Sequence, residues 1–178
     1  AVGASVLWTP RSAFSLTSNI LYSDGSLKGQ SAEPRLYWNT FLNYKTLNWL
    51  IGAELNLGIQ RSINPLNPGE GTVIEKMGSA MVLARRKVLE NWFGYGRFEF
   101  YRDPDEMLTG PLVNSNHQLI GLQSEGLTLG VEYKPMPNAQ FRIESRGLYT
   151  RKGEDIFAWN GKSSSARIEI LAGIGVWF

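Results

Sequence analysis

The sequence predicts an all-β fold, a transmembrane antiparallel up-and-down β-barrel, and three observations predict it. First, the run Ser165–Phe178 sorts Ala166, Ile168, Ile170, Ala172, Ile174, Val176 and Phe178 onto one strand face. It leaves Arg167, Glu169, Leu171, Gly173, Gly175 and Trp177 on the other. Second, about nine segments along the chain show one mostly apolar face each. Third, the connections alternate between short turns and long polar loops, as in bacterial outer-membrane barrels. In such a barrel the apolar face meets lipid and the polar face meets the lumen.

The segments follow in order. Val2, Ala4, Val6 and Trp8 share a face before the turn T-P-R-S. Phe14, Leu16, Ser18, Ile20 and Tyr22 make the second face, and Leu36, Trp38, Thr40, Leu42 and Tyr44 the third, ending at K-T-L-N. Trp49 to Ile59 alternates most cleanly, opposed by Gly52, Glu54, Asn56, Gly58 and Gln60. In the fifth segment, around Met77 to Val88, Arg86 falls among Ala80, Val82 and Ala84, as a bulge or a snorkelling arginine would allow. Trp92, Phe98 and Phe100 mark the sixth. Leu127, Leu129, Val131 and Tyr133 mark the seventh, and Phe141, Ile143 and Tyr149 the eighth. Ser165–Phe178 is the ninth.

The short connections are T-P-R-S, K-T-L-N, L-E-N and P-M-P-N; the long ones are Asp24–Pro34, Ser62–Lys76, Asp103–Ser124 and Lys152–Ser164. Trp8, Tyr44, Trp49, Trp92, Tyr133, Phe141, Trp177 and Phe178 lie beside the short turns, where a periplasmic interfacial girdle belongs. A soluble barrel or sandwich with its apolar face inward is the competing architecture, and it requires neither one-sided loops nor a girdle.

Composition narrows the function classes. Charged residues are 19% of the chain and net charge is +2, with acids and bases interleaved, which argues against nucleic acid as a partner. Mean hydropathy is −0.20, and no apolar run approaches the roughly 18 residues of a membrane-spanning helix. With no cysteine there is neither disulfide nor thiolate metal site. Residues 1–178 read as a single outer-membrane β-barrel domain or its C-terminal portion. Nine strands ending in the periplasm put Ala1 on the extracellular side, whereas bacterial barrels usually have even strand numbers. Preceding residues that supply further strands are the favoured resolution; an eight-stranded barrel with a periplasmic lead-in is the other. Export also implies a leader or larger N-terminal piece removed before Ala1.

Three stretches carry a family resemblance: Ala4–Asn19 (A-S-V-L-W-T-P-R-S-A-F-S-L-T-S-N), Phe98–Gly110 (F-E-F-Y-R-D-P-D-E-M-L-T-G) and Leu127–Arg146 (L-T-L-G-V-E-Y-K-P-M-P-N-A-Q-F-R-I-E-S-R). With the terminal strand they resemble the C-terminal part of OmpL-like β-barrel porins of Gram-negative, Bacteroidetes-type outer membranes. The resemblance implies a diffusion pore and supplies no catalytic residues.

Strand parity nominates a pore wall. Glu54, Arg97, Glu99, Glu132, Lys134, Arg142, Glu144, Arg146, Arg167 and Glu169, with Tyr37 and Tyr95, are the candidate lining residues. Crossed charges would orient polar solutes, with arginines favouring anions. A salt-bridged, non-conducting interior is the alternative. The aromatics Tyr37, Phe41, Phe93, Tyr95 and Tyr101 suit either a sugar track or, as the favoured reading, packing against an inserted loop.

Asp103, Asp105, Glu106 and Asn114 have the oxygens calcium takes, but Pro104 disrupts the spacing and a solvated acidic turn is expected instead. The same loop is long enough to fold inward and constrict a pore. His117 and Ser115 would share a strand face, the minimum for a barrel lipase or acyltransferase, yet the G-x-S-x-G elbow is missing. The chain is therefore expected not to be an enzyme and to carry no cofactor or metal. Expected partners are outer-membrane lipid, the barrel-assembly machinery through Trp177 and Phe178, and a homo-oligomer or larger membrane complex. The leading function is a porin-like channel for small polar solutes; a non-conducting accessory barrel is the alternative.

Overall fold

Alternating residue types become strands here, and neighbours in sequence become neighbours in space. The computed structural model describes residues 1–24, 33–63, 71–151 and 154–178 and is all-β. Nine strands form one sheet: β1 (Val2–Arg11), β2 (Phe14–Ser23), β3 (Arg35–Lys45), β4 (Trp49–Ile63), β5 (Thr72–Leu89) and β6 (Trp92–Asp103), then β9 (Leu122–Met136), β10 (Ala139–Thr150) and β13 (Ala166–Val176). Two hairpins occupy connections: β7 (Leu112–Val113) with β8 (Leu119–Ile120), and β11 (Phe157–Trp159) with β12 (Lys162–Ser164). Every pairing is antiparallel and the nine strands run up and down in chain order, the arrangement of a barrel wall. Among the described residues β1 and β13 each pair on one side only, leaving their outer edges open.

All nine predicted segments form strands, with shifted boundaries. The first turn is Ser12–Ala13 rather than T-P-R-S, because β1 runs on through Pro10 with a register shift between Trp8 and Arg11. Proline offers no N–H to the ladder, so an irregularity there costs little. Two more shifts lie at Lys87/Leu89 and Ala139/Phe141, also beside two-residue turns. The described residues of the predicted loop Ser62–Lys76 are largely strand, since β4 reaches Ile63 and β5 begins at Thr72. Residues 25–32, 64–70 and 152–153 of the predicted loops lie outside the described residues.

Register aligns the faces. One row on the apolar face reads Ala53, Val82, Phe98, Leu127; another reads Trp92, Tyr133, Phe141, Ile174. This face is uncovered: Ile143 is 64% exposed, Ile170 77% and Ile174 74%. The buried hydrophobic residues among those described are Met77, Met107 and Ala139, so the sheet has no core of its own. Each such side chain left in water forgoes about 1.5–3 kcal/mol, and the face therefore requires an apolar environment. The competing soluble sandwich would have buried it.

Aromatics band the short-turn end of the apolar face. Trp92 stacks on Tyr133 at 4.7 Å, Tyr133 on Phe141 at 6.4 Å, and Trp8 meets Phe14 edge-on at 5.8 Å. Arg86 holds its parity on this face, its guanidinium 5.1 Å from the Trp49 ring centre. The irregularity comes at Val88, between Lys87 and Leu89, which resolves the untidy fifth segment. Trp177 does not belong to the band. Its parity puts it on the polar face, 6.0 Å from Lys134 Nζ.

Candidate functional site

The polar face is the chemically specific surface, and it divides into two fields. Across β1–β5 runs a ladder of neutral groups. Ser5 Oγ donates to Asn19 Oδ1 (2.6 Å), Asn19 Nδ2 to Asn39 Oδ1 (3.0 Å), Asn39 Nδ2 to Asn56 Oδ1 (2.6 Å) and Asn56 Nδ2 to Ser79 Oγ (3.0 Å). These residues are direct cross-strand partners, so every bond links adjacent strands. Glu54 accepts from Asn39 and Asn56, and Tyr37 donates to Asn56 Oδ1.

Across β5–β13 the face is ionic. Six cations, Arg85, Arg97, Lys134, Arg142, Arg146 and Arg167, meet four carboxylates, Glu99, Glu132, Glu144 and Glu169, in salt bridges. With Lys87, Glu75 and Asp103 on the same face of β5 and β6, the described residues of this field hold seven cations against six carboxylates. Several links span two strands at once. Arg85 on β5 reaches Glu132 on β9, Tyr95 on β6 reaches Glu144 on β10 at 2.6 Å, and Arg146 on β10 reaches Glu99 on β6 at 2.9 Å. The last two do so because β9 presents Gly126 and Gly130 on this face, whereas Arg85 crosses β6 over the Phe93 ring. A Cβ on Gly130 would collide with the Tyr95 ring, and one on Gly126 would sit 3.0 Å from a Glu99 oxygen. Arg85 also stacks 3.7 Å over Phe93, with Lys134 on the same ring at 5.9 Å. Glu132 and Glu144 are only 8% exposed, so their partners are required: an unpaired buried carboxylate is strongly destabilising.

The connection from β6 to β9 folds over this face at the long-loop end. Asp103, fully buried, accepts from the backbone N–H of Met107, Leu108 and Thr109, from the Thr109 hydroxyl, and from Tyr101 OH at 3.4 Å. That turn aims Met107 at the wall. A Cβ on Gly58 would meet Met77 Cγ at 2.8 Å and Met107 Cε at 2.9 Å, so glycine is what lets the loop seat. Asp105 caps the β5 edge by accepting from Lys76 N at 2.9 Å. The expectation of a solvated acidic turn is thereby corrected for Asp103, which backbone donors hold inside the fold, while Asp105 stays exposed.

All twelve nominated lining residues fall on the polar face. Ten lie in or beside the ionic field; Glu54 and Tyr37 belong to the ladder. Four of the inward aromatics are engaged: Tyr95 over Gly130, Phe93 under Arg85, Tyr37 on Asn56 and Tyr101 on Asp103. Sequence reasoning missed Arg85, hidden in the irregular fifth segment, and the asparagine ladder. Asparagine is depleted in strands, so three mid-strand asparagines were a usable signal. His117 and Ser115 are not on a strand. They sit in the turn between β7 and β8, where Asn114 Oδ1 accepts from Asn116 N and Gln118 N. His117 has φ 61°, and the Ser115 hydroxyl donates to Asp155 at 3.4 Å.

The full span, residues 1–178, matches the family described as "Putative beta-barrel porin-2, OmpL-like". The chain belongs to that family. No curated protein and no solved structure matches it.

Proposed function

We propose that this member of the OmpL-like porin family forms the wall of a passive diffusion channel for small polar solutes in a bacterial outer membrane. The observation that carries the reading is the two-sidedness of the sheet. One face is uncovered, apolar and banded with aromatics; the other is laced with side-chain hydrogen bonds and salt bridges. Lipid suits the first and a water-filled lumen the second. The short turns then lie in the periplasm and the long connections outside the cell. The loop seated by Asp103 narrows the lumen near its outer mouth, and the lumenal arginines favour anions among small ions.

The partners follow from the same reading. Lipid covers the apolar face. The fully exposed Phe178, with Trp177 beside it, serves as the segment read by the barrel-assembly machinery. The chain has no catalytic role in this scheme. A non-conducting accessory barrel draws on one observation, that the charges of the ionic field mostly satisfy one another. Planar-bilayer recordings on the full-length protein separate the two. Steady conductance with a reversal potential displaced toward the chloride side supports the channel, and a protein that inserts without current sinks it.

A further inference from the structure

Where the amide ladder meets the ionic field, the polar face is hollowed into a groove of about 360 Å³. That volume falls within the roughly 300–1,000 Å³ of clefts that hold small molecules. It lies just beneath the inserted loop, because Tyr101, which donates to Asp103, forms part of its wall.

The lining is mixed in a telling way. Glu99 is bridged by both Arg146 and Arg97, whereas Glu54 accepts from two amides but has no cationic partner among the described residues. A small anion entering here meets an uncompensated carboxylate, whereas a small cation meets Arg146. Part of the unspent hydrogen-bonding capacity is neutral, beside the Arg146 Nε–H, which is covered and has no partner among the described residues. The Ser124 hydroxyl makes no hydrogen bond among the described residues, and Ser79 accepts from Asn56 with its own proton unspent. Met81 and Leu148 add apolar surface.

We infer that this groove is a solute subsite for neutral polyhydroxylated molecules, mono- and disaccharides as a class. Adjacent hydroxyls donate to the carboxylates while accepting from serine and arginine, which no simple ion does. The C–H faces of a sugar ring settle on Met81, Leu148 and the Tyr101 ring. The inference rests on the channel reading and deepens it by naming the solute class.

The test uses maltose on the full-length protein in planar bilayers, with a polyethylene glycol of matched size as the control. Maltose should reduce the current saturably, and the polymer only in proportion to its concentration. The double variant Ser79→Ala/Ser124→Ala should weaken the apparent maltose affinity about tenfold, each current being normalised to that variant's own sugar-free value. Unsaturable block, an affinity untouched by the double variant, or citrate competing with maltose for the site would each overturn the proposal. Absence of any current defeats the channel reading instead. Calorimetric titration of maltose into the detergent-solubilised protein then decides the subsite. Heat lost in the double variant supports it; no heat, or heat unchanged in the variant, overturns it.

Discussion

The two fields of the polar face solve one problem by different means. On β1–β5, Asn19, Asn39 and Asn56 pass hydrogen bonds from each strand to the next, and the reach of an amide limits every link to its neighbour. On β5–β13, arginine, glutamate and tyrosine side chains stretch over a whole strand, and β9 yields the room by carrying Gly126 and Gly130. Short neutral groups stitch adjacent strands, whereas long charged ones brace alternate strands at the cost of burying charge. The groove lies on the seam, where both kinds of group are within reach.

Breaking the ionic field at its most buried point should have the largest effect. Glu132→Ala strands Arg85 and Lys134 without their shared carboxylate and should cost about 3–5 kcal/mol, read from urea unfolding in lipid vesicles. An unchanged midpoint would mean that water already screens the pair.

The glycine passage comes next. Gly130→Ala should displace the Tyr95 ring and its bond to Glu144, costing about 1–3 kcal/mol. Gly52→Ala in the other field meets only ordinary contacts, the nearest at 3.7 Å, and should be neutral or stabilising by about 0.5 kcal/mol. Equal effects at the two glycines would erase the distinction between the fields. Asn39→Ala, which cuts the ladder at its centre, should cost roughly 1 kcal/mol in the same unfolding measurement.

Salt is the gentlest probe. A double-mutant cycle on Glu99 and Arg146 should lose a few tenths of a kcal/mol of coupling between low and high ionic strength. The Asn39–Asn56 cycle should not respond.

Much of this was legible beforehand because period-two alternation survives in strands whose two faces meet different surroundings. Nine segments, the alternation of turns and loops, and the face of every nominated lining residue follow from parity alone. Parity also assigns Trp177 to the polar face, although position beside a turn had suggested the aromatic band. What parity lacks is register. Nothing in the spacing of Asn19, Asn39, Asn56 and Ser79 announces that they align, since the connections between them differ in length. The role of Asp103 was hidden for a related reason: a D-P-D-E run reads as solvated until backbone donors are seen converging on its first aspartate.

The sequence by itself determined that this chain makes an antiparallel wall with an apolar and a polar side, because side-chain direction in a strand is local geometry. The tertiary structure decided which polar groups become partners and where the loop comes to rest. Those outcomes depend on strand register and on missing side chains at Gly58, Gly126 and Gly130, where space matters only once a distant residue arrives to fill it.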